Sequence, residues 1–211
     1  MRKRDLEIIK HLEMFRVMSR DDIVDLHFKH LKNPIGNANT VLKRLVRDGQ
    51  IEVSTMHSPY LYFPVGNHIK KNSTKIPHYL KLVQVYKDLC EIEPPTEFII
   101  EPQYKKGLAE PDIYCVFKGT PLFIEVQNSI YSSKQMEDKI KRYELLKQSE
   151  LVKPFPTIIM ITNTRYAIES DQIKVIQTPS IAHLIHKANE DSNTPPPPQP
   201  IKTNGNITFK L

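Results

Sequence analysis

The chain contains 211 residues, of which 39% are hydrophobic, and its 30 basic and 24 acidic residues give a net charge of +6. It has no run of about 18 apolar residues, which excludes a transmembrane helix, and its basic start is followed by no apolar segment, which excludes a secretory signal. Its two cysteines, Cys90 and Cys115, exclude a disulfide framework or a four-cysteine zinc site. We therefore expect a cytoplasmic protein without membrane contact.

The positive charge is concentrated in the first third of the chain. Residues 1–72 contain 13 basic and 8 acidic residues, a net charge of +5, whereas residues 73–189 are nearly neutral. Such an asymmetry indicates an N-terminal unit that binds a polyanion, joined to a second unit of another kind.

The first third has the pattern of three helices followed by a hairpin. Ser19 and Asp22 form an S-x-x-D capping signature at the start of the second helix, and Asp48-Gly49 ends the third. The predicted elements are helices over 6–14, 20–28 and 37–47 and strands over 51–55 and 61–65.

The third predicted helix has two opposed faces. One is apolar, and the other carries hydroxyl, amide and basic side chains, as a recognition helix in the major groove requires. The hairpin behind it would then be a wing, with His57 and Ser58 at its tip near phosphates or the minor groove. One alternative is that the basic side chains merely solvate an exposed face, and another is that this unit docks on a protein. The predicted DNA-binding residues are Asn37, Asn39, Thr40, Lys43, Arg44, Arg47 and His57.

The rest of the chain predicts a mixed α/β domain. Its elements are a helix over 79–89, strands over 98–104, 113–117 and 122–126, a helix over 133–147, strands over 157–162 and 174–176, and a helix over 180–188. The predicted domains are thus residues 1–70 and 73–189. The Pro-rich segment 190–211 is expected to be a flexible tail because its composition cannot build a core.

Two carboxylates stand out in the segment EPDIYCVFKGTPLFIEVQNS. Asp112 precedes one predicted strand and Glu125 ends the next, so a hairpin would bring them side by side. Such a pair could hold Mg²⁺ or Mn²⁺ through its oxygens and activate water. Gln127 shares the face of Glu125 because strand side chains alternate. The alternative is that both carboxylates are merely solvated strand ends.

This pattern resembles the PD-(D/E)xK nuclease-like superfamily, whose core order is also αβββαβ. The resemblance, over about residues 77–162, implies a restriction-endonuclease-like fold in which Asp112 and Glu125 are metal ligands. Glu101, or less favourably Glu97, would be an additional acidic ligand. Gln127 occupies the place of the catalytic lysine and cannot supply its charge. Lys139 on the next helix, flanked by Gln135 and Tyr143 at i−4 and i+4, could replace it; otherwise the site is inactive.

Both regions together resemble the replication-relaxation family of plasmids and other mobile elements, over about residues 5–165. The matching segments are NANTVLKRLVRDGQI with its hairpin, the helix that contains His78-Tyr79-Leu80, and PDIYCVF, LFIEVQN and KIKRY. The resemblance implies an N-terminal winged helix-turn-helix, a nuclease-like domain, and a double-stranded DNA-binding accessory role in replication or mobilisation. A relaxase or a replication initiator would be the protein partner.

Two other functions remain open. One is a metal-dependent endonuclease, which Gln127 disfavours, and the other is a transcriptional repressor that uses its second domain to form a homodimer. In the leading interpretation, the nuclease-like domain is weakly active or inactive.

Overall fold

The computed structural model of the protein describes residues 1–193, which form a mixed α/β fold with six helices and two sheets. The N-terminal elements are α1 (Lys3–Phe15), β1 (Met18–Ser19), α2 (Arg20–His27), α3 (Pro34–Arg47), β2 (Ile51–Ser54) and β3 (Leu61–Pro64). The C-terminal elements are α4 (Ile76–Cys90), β4 (Glu97–Ile100), β5 (Ile113–Phe117), β6 (Thr120–Val126), α5 (Ser133–Gln148), β7 (Thr157–Ile161), β8 (Val175–Thr178) and α6 (Ile181–Asn193). None of these helices is long and apolar enough to cross a membrane.

Local capping explains where the N-terminal helices begin. Ser19 Oγ accepts a hydrogen bond from the Asp22 backbone N–H at 3.1 Å, and the Asp22 carboxylate accepts one from the Ser19 backbone N–H at 3.1 Å. The predicted capping box is therefore confirmed. The predicted start of the third helix at residue 37 is wrong. Asn33 caps α3, and Pro34 fits the first helical position because no N–H is needed there.

The small sheet has the strand order β1-β3-β2, and both pairings are antiparallel. The hairpin β2–β3 was predicted, but β1 was not, because a strand of two residues has no alternating pattern to detect. The apolar face of α3, which includes Ala38, Leu42 and Leu45, is buried against α1, α2 and this sheet, as expected.

The large sheet has the order β4-β5-β6-β7-β8, antiparallel from β4 to β6 and parallel from β6 to β8. Buried residues of α4 and α6 cover one face, and α5 covers the other. The αβββαβ order was predicted. The predicted end of β4 at residue 104 is wrong, since Glu101 adopts a φ of +48° and turns the chain away after Ile100.

The two sets of elements share their hydrophobic cores. Leu61 and Phe63 of β3 pack into the core of α4 and the large sheet, whereas Val83 of α4 is buried among α1, α2 and α3. Lys87 of α4 binds Asp22 and Asp25 of α2 at 2.9 and 2.6 Å. The N-terminal elements are therefore packed firmly onto α4.

The last helix extends beyond its predicted end. α6 continues to Asn193, so residues 190–193 of the predicted tail belong to a helix. The remainder of that predicted tail, residues 194–211, lies outside the described residues.

Candidate functional site

The antiparallel pairing of β5 and β6 brings Asp112 and Glu125 to neighbouring positions, as predicted. Ile113 pairs with Ile124, so Asp112 and Glu125 are the next residues on the two strands. Asp112 Oδ2 accepts a hydrogen bond from the Val126 N–H at 2.7 Å. This bond fixes the Asp112 carboxylate across the end of the hairpin.

Glu125 is buried, and its carboxylate binds two side chains from α5. Lys139 Nζ lies 2.6 Å from Oε2, and the Tyr143 hydroxyl donates to Oε1 at 2.5 Å. Burial raises the pKa of Glu125 to about 7, although the charge of Lys139 opposes the shift. Burial also raises the pKa of Tyr143, and the charge of Glu125 adds to the shift. Tyr143 therefore remains a hydroxyl donor.

A chain of hydrogen bonds from α4 engages the other oxygen of Asp112. His78 Nε2 lies 3.3 Å from Asp112 Oδ1, His78 Nδ1 lies 3.0 Å from Asn128 Nδ2, and Lys81 donates to Asn128 Oδ1. Its hydrogen bond to Asp112 raises the pKa of His78, against burial. Sequence reasoning did not identify His78 as a site residue. Only the packing of α4 against β6 brings it here, and no local pattern marks it.

Apart from Lys81, these side chains line a cavity of about 350 Å³. Gln127 also lines this cavity, and its amide donates to the Ser129 carbonyl at 2.8 Å. Because an amide is neutral, Gln127 supplies no charge to the site. Lys139 Nζ lies 5.5 Å from the centre of the Tyr131 ring. Lys139 is thus the lysine that lies against Glu125. Its position is the one that the sequence suggests for a lysine that replaces one at position 127.

Two other predicted participants do not line this cavity. The Glu101 backbone N–H donates to the Asp112 carbonyl at 2.9 Å, but its carboxylate accepts from Arg16 at 2.6 Å and from the Tyr79 hydroxyl at 3.4 Å, so this side chain joins α1 to α4. Gln135 binds Ser132 and caps α5. The predicted third acidic ligand is therefore committed to a structural ion pair.

The four carboxylate oxygens of Asp112 and Glu125 each already face a donor of the protein. Mg²⁺ requires near-octahedral oxygen ligands at about 2.0–2.1 Å, and here the Lys139 ammonium lies directly against Glu125. Within residues 1–193, no group of three His, Cys, Asp or Glu side chains is arranged to hold a metal. The described residues thus offer the pair no third acidic ligand, and the binding of Mg²⁺ or Mn²⁺ stays a prediction.

The predicted DNA-binding residues of α3 differ in their availability. Asn37 and Thr40 bind backbone carbonyls of their own helix, at 2.7 and 2.9 Å. Asn39 and Lys43 are exposed, and Lys43 forms no ion pair with any described residue. Arg47 is exposed beside Asp48, at 3.0 Å.

Arg44 and His57, which were also predicted to bind DNA, have partners within the protein. Arg44 donates to the buried Asp5 of α1 at 2.8 Å, so it holds α3 against α1. His57 Nε2 lies 3.2 Å from the Lys71 carbonyl, and this contact ties the hairpin to the following segment. Among the predicted residues of α3, Asn39 and Lys43 thus have no side-chain partner in the described part of the chain, and Arg47 pairs only with the adjacent Asp48.

A groove between α3 and the hairpin β2–β3, with a volume of about 560 Å³, lies next to this face. Asn39 and Lys43 line it, together with Arg20 and Tyr60, which sequence reasoning missed because they come from other elements.

Searches of protein-family models, curated proteins and solved structures found no match to this chain.

Proposed function

We propose that the protein is a double-stranded DNA-binding accessory protein that acts in the cytoplasm in the replication or mobilisation of a plasmid or other mobile element. In this proposal α1–α3 and β1–β3 form a winged helix-turn-helix. The C-terminal elements form a PD-(D/E)xK nuclease-like domain that contacts DNA or a protein partner such as a relaxase or replication initiator.

The observation that carries the proposal is the exposed face of α3. Asn39, Lys43 and Arg47 lie opposite the buried residues of the same helix, beside the hairpin. A helix of this kind can enter a major groove, where amide and basic side chains contact base edges and phosphates. The net charge of +5 over residues 1–72 supports the same role, since phosphate contacts dominate the affinity for DNA.

The cavity at Asp112 and Glu125 supports an accessory role for the second domain. Lys139 and Tyr143 bind Glu125, while His78 binds Asp112, so the carboxylates are used to hold these elements together. Gln127 adds no positive charge to stabilise a phosphoryl transition state. We therefore expect weak cleavage or none.

A metal-dependent endonuclease is the second candidate. The contact of 2.6 Å between Lys139 and Glu125 favours it, because a lysine beside this acidic pair is the feature missing at Gln127. The occupied carboxylate oxygens count against it. A cleavage assay, described in the Discussion, separates the two candidates.

Fluorescence anisotropy with a labelled duplex of about 25 base pairs tests the leading proposal. Replacing Asn39, Lys43 and Arg47 with alanine should weaken binding and reduce the slope of log K against log salt by about two units, one for each lost phosphate contact. The matched control replaces Lys141 and Lys174, two exposed lysines of the C-terminal elements, and removes the same charge. Equal affinities and slopes for the two variants would contradict the proposal.

A further inference from the structure

The groove between α3 and the hairpin β2–β3 combines positive charge with an apolar and aromatic wall. Contact with duplex DNA uses the charge but does not require such a wall. Two of its lining residues, Arg20 and Lys43, are cationic, and none of the described residues that line it is acidic. Arg20 binds Asp21 at 2.8 Å, whereas Lys43 has no ion-pair partner in the part of the chain that the structure describes. The groove therefore favours an anionic occupant.

The wall of the groove is apolar and aromatic. Val46 of α3 and Val53 of β2 line it, together with Tyr60 and Tyr62 of the hairpin. Tyr62 is buried, but Tyr60 is 50% exposed. The Tyr60 ring stacks on no other aromatic ring among residues 1–193. An aromatic face is thus available beside two cations.

The chemistry of this wall distinguishes an unpaired base from a paired one. In a duplex the faces of each base are covered by its neighbours, so a protein reaches only base edges and phosphates. A valine side chain and the face of a tyrosine ring form no hydrogen bonds with those groups. An unpaired base exposes its π-face, and such faces stack on aromatic side chains while basic residues hold the backbone.

We infer that this groove binds one unpaired nucleotide of DNA, with its base against Tyr60 and its phosphate near Lys43 and Arg20. The inference rests on the proposed function, because α3 would hold the adjoining duplex, and it deepens that function by naming the substrate. The preferred DNA is a duplex that continues into a single strand, and a blunt duplex binds more weakly.

Anisotropy with the full chain in EDTA tests the inference on three DNAs. They are a blunt duplex of about 20 base pairs and the same duplex extended by about ten thymidines at either the 5′ or the 3′ end. We expect at least one extended DNA to bind about tenfold more tightly than the blunt duplex, within the range of one base stacked on an aromatic ring.

Substitutions at Tyr60 locate the effect. Tyr60→Ala should abolish the preference for extended DNA, whereas Tyr60→Phe should retain it. Met56→Ala is the control, since Met56 is 74% exposed in the same hairpin but does not line the groove. A 2-aminopurine in the extension should lose fluorescence on binding to the wild type and keep it with Tyr60→Ala.

Equal binding of blunt and extended DNA by the wild type, or a preference that survives Tyr60→Ala, would overturn the inference and leave the proposed duplex binding intact. Failure of the proposed function has a different signature. In that case the blunt duplex is not bound at all, and tight binding of the extended DNA that depends on Tyr60 would still support the groove.

Discussion

Lys139 Nζ lies 2.6 Å from Glu125 Oε2, although the two residues belong to different elements, α5 and β6. Their side chains are 16% and 3% exposed, so this ion pair is largely withdrawn from solvent. Removing one partner of an ion pair in such surroundings strongly destabilises the fold, because the remaining charge stays buried.

Lys139→Met should therefore lower the free energy of unfolding by about 3 kcal/mol at pH 8. The loss should be smaller at pH 5, where the unpaired Glu125 can take up a proton. Urea unfolding measures both values. Lys134→Met, an exposed change in the same helix, should have little effect, and adding Glu125→Gln to Lys139→Met should recover part of the loss.

A second prediction concerns a pair of histidines in the N-terminal elements, of which His27 is buried. His11 Nδ1 lies 3.0 Å from His27 Nε2, and burial lowers the pKa of His27 to about 3 from its ordinary value of 6.5. Between these values the unfolded chain binds more protons than the folded one at this residue. The contribution of His27 to stability is therefore present above about pH 6.5 and is lost as the pH falls towards 3.

His27→Phe should remove this contribution and flatten the acid limb of stability, a difference of about 4 kcal/mol at pH 3. Thermal or urea unfolding between pH 3 and 7 measures the slope. His30→Phe is the control, since His30 is exposed on the following turn. An unchanged slope in His27→Phe would show that the pair does not set the acid sensitivity.

Arg44 and Lys43 are adjacent in sequence but should respond differently to substitution. Asp5 is only 1% exposed, and burial alone would raise its pKa. Its hydrogen bonds to the Arg2 backbone and to Arg44 outweigh burial, so the pKa of Asp5 is lowered. Arg44→Ala should destabilise the fold by about 1–3 kcal/mol, because a buried carboxylate loses a partner. Lys43→Ala should change stability by less than about 0.5 kcal/mol and weaken DNA binding.

Chemical denaturation and anisotropy on the same samples check both halves of this prediction. If Arg44→Ala retained full stability and lost DNA affinity as Lys43→Ala does, the original assignment of Arg44 to DNA would be right and its structural role wrong.

The comparison of Lys43 with Arg44 indicates how far the sequence could predict this site. A helical wheel separates buried from exposed positions, and it correctly assigned the apolar face of α3. It cannot tell which exposed position faces solvent and which faces another helix. That distinction depends on the packing of α1, which brings Asp5 to Arg44.

The acidic pair shows the same limit. Asp112 and Glu125 could be placed together because a hairpin is a local structure with a readable register. His78 and the ion pair of Glu101 with Arg16 depend on how α4 and α1 pack on the sheet. Local periodicity carries no information on contacts between distant elements, so these partners were not predicted.

The last prediction is that the wild-type protein does not nick supercoiled plasmid DNA to a significant extent in Mg²⁺ or Mn²⁺. Charge that develops on a phosphate during cleavage needs a positioned cation, and such a group commonly contributes about 3–4 kcal/mol, or 10²–10³ in rate. Gln127 is neutral. Glu125 already balances the charge of Lys139, and the oxygens that would hold a metal are engaged by His78, Tyr143 and the backbone.

Agarose gels of plasmid incubated with the wild type, Asp112→Ala, Glu125→Ala and Lys139→Ala check this expectation, with circular dichroism to confirm that each variant is folded. A trace of nicking that is equal in all four samples would come from a contaminating nuclease and would agree with an inactive site. Robust cleavage by the wild type that disappears in both carboxylate variants would make the protein a metal-dependent nuclease. Its loss in Lys139→Ala as well would identify Lys139 as the lysine that replaces Gln127, because the Lys139 ammonium lies directly against Glu125.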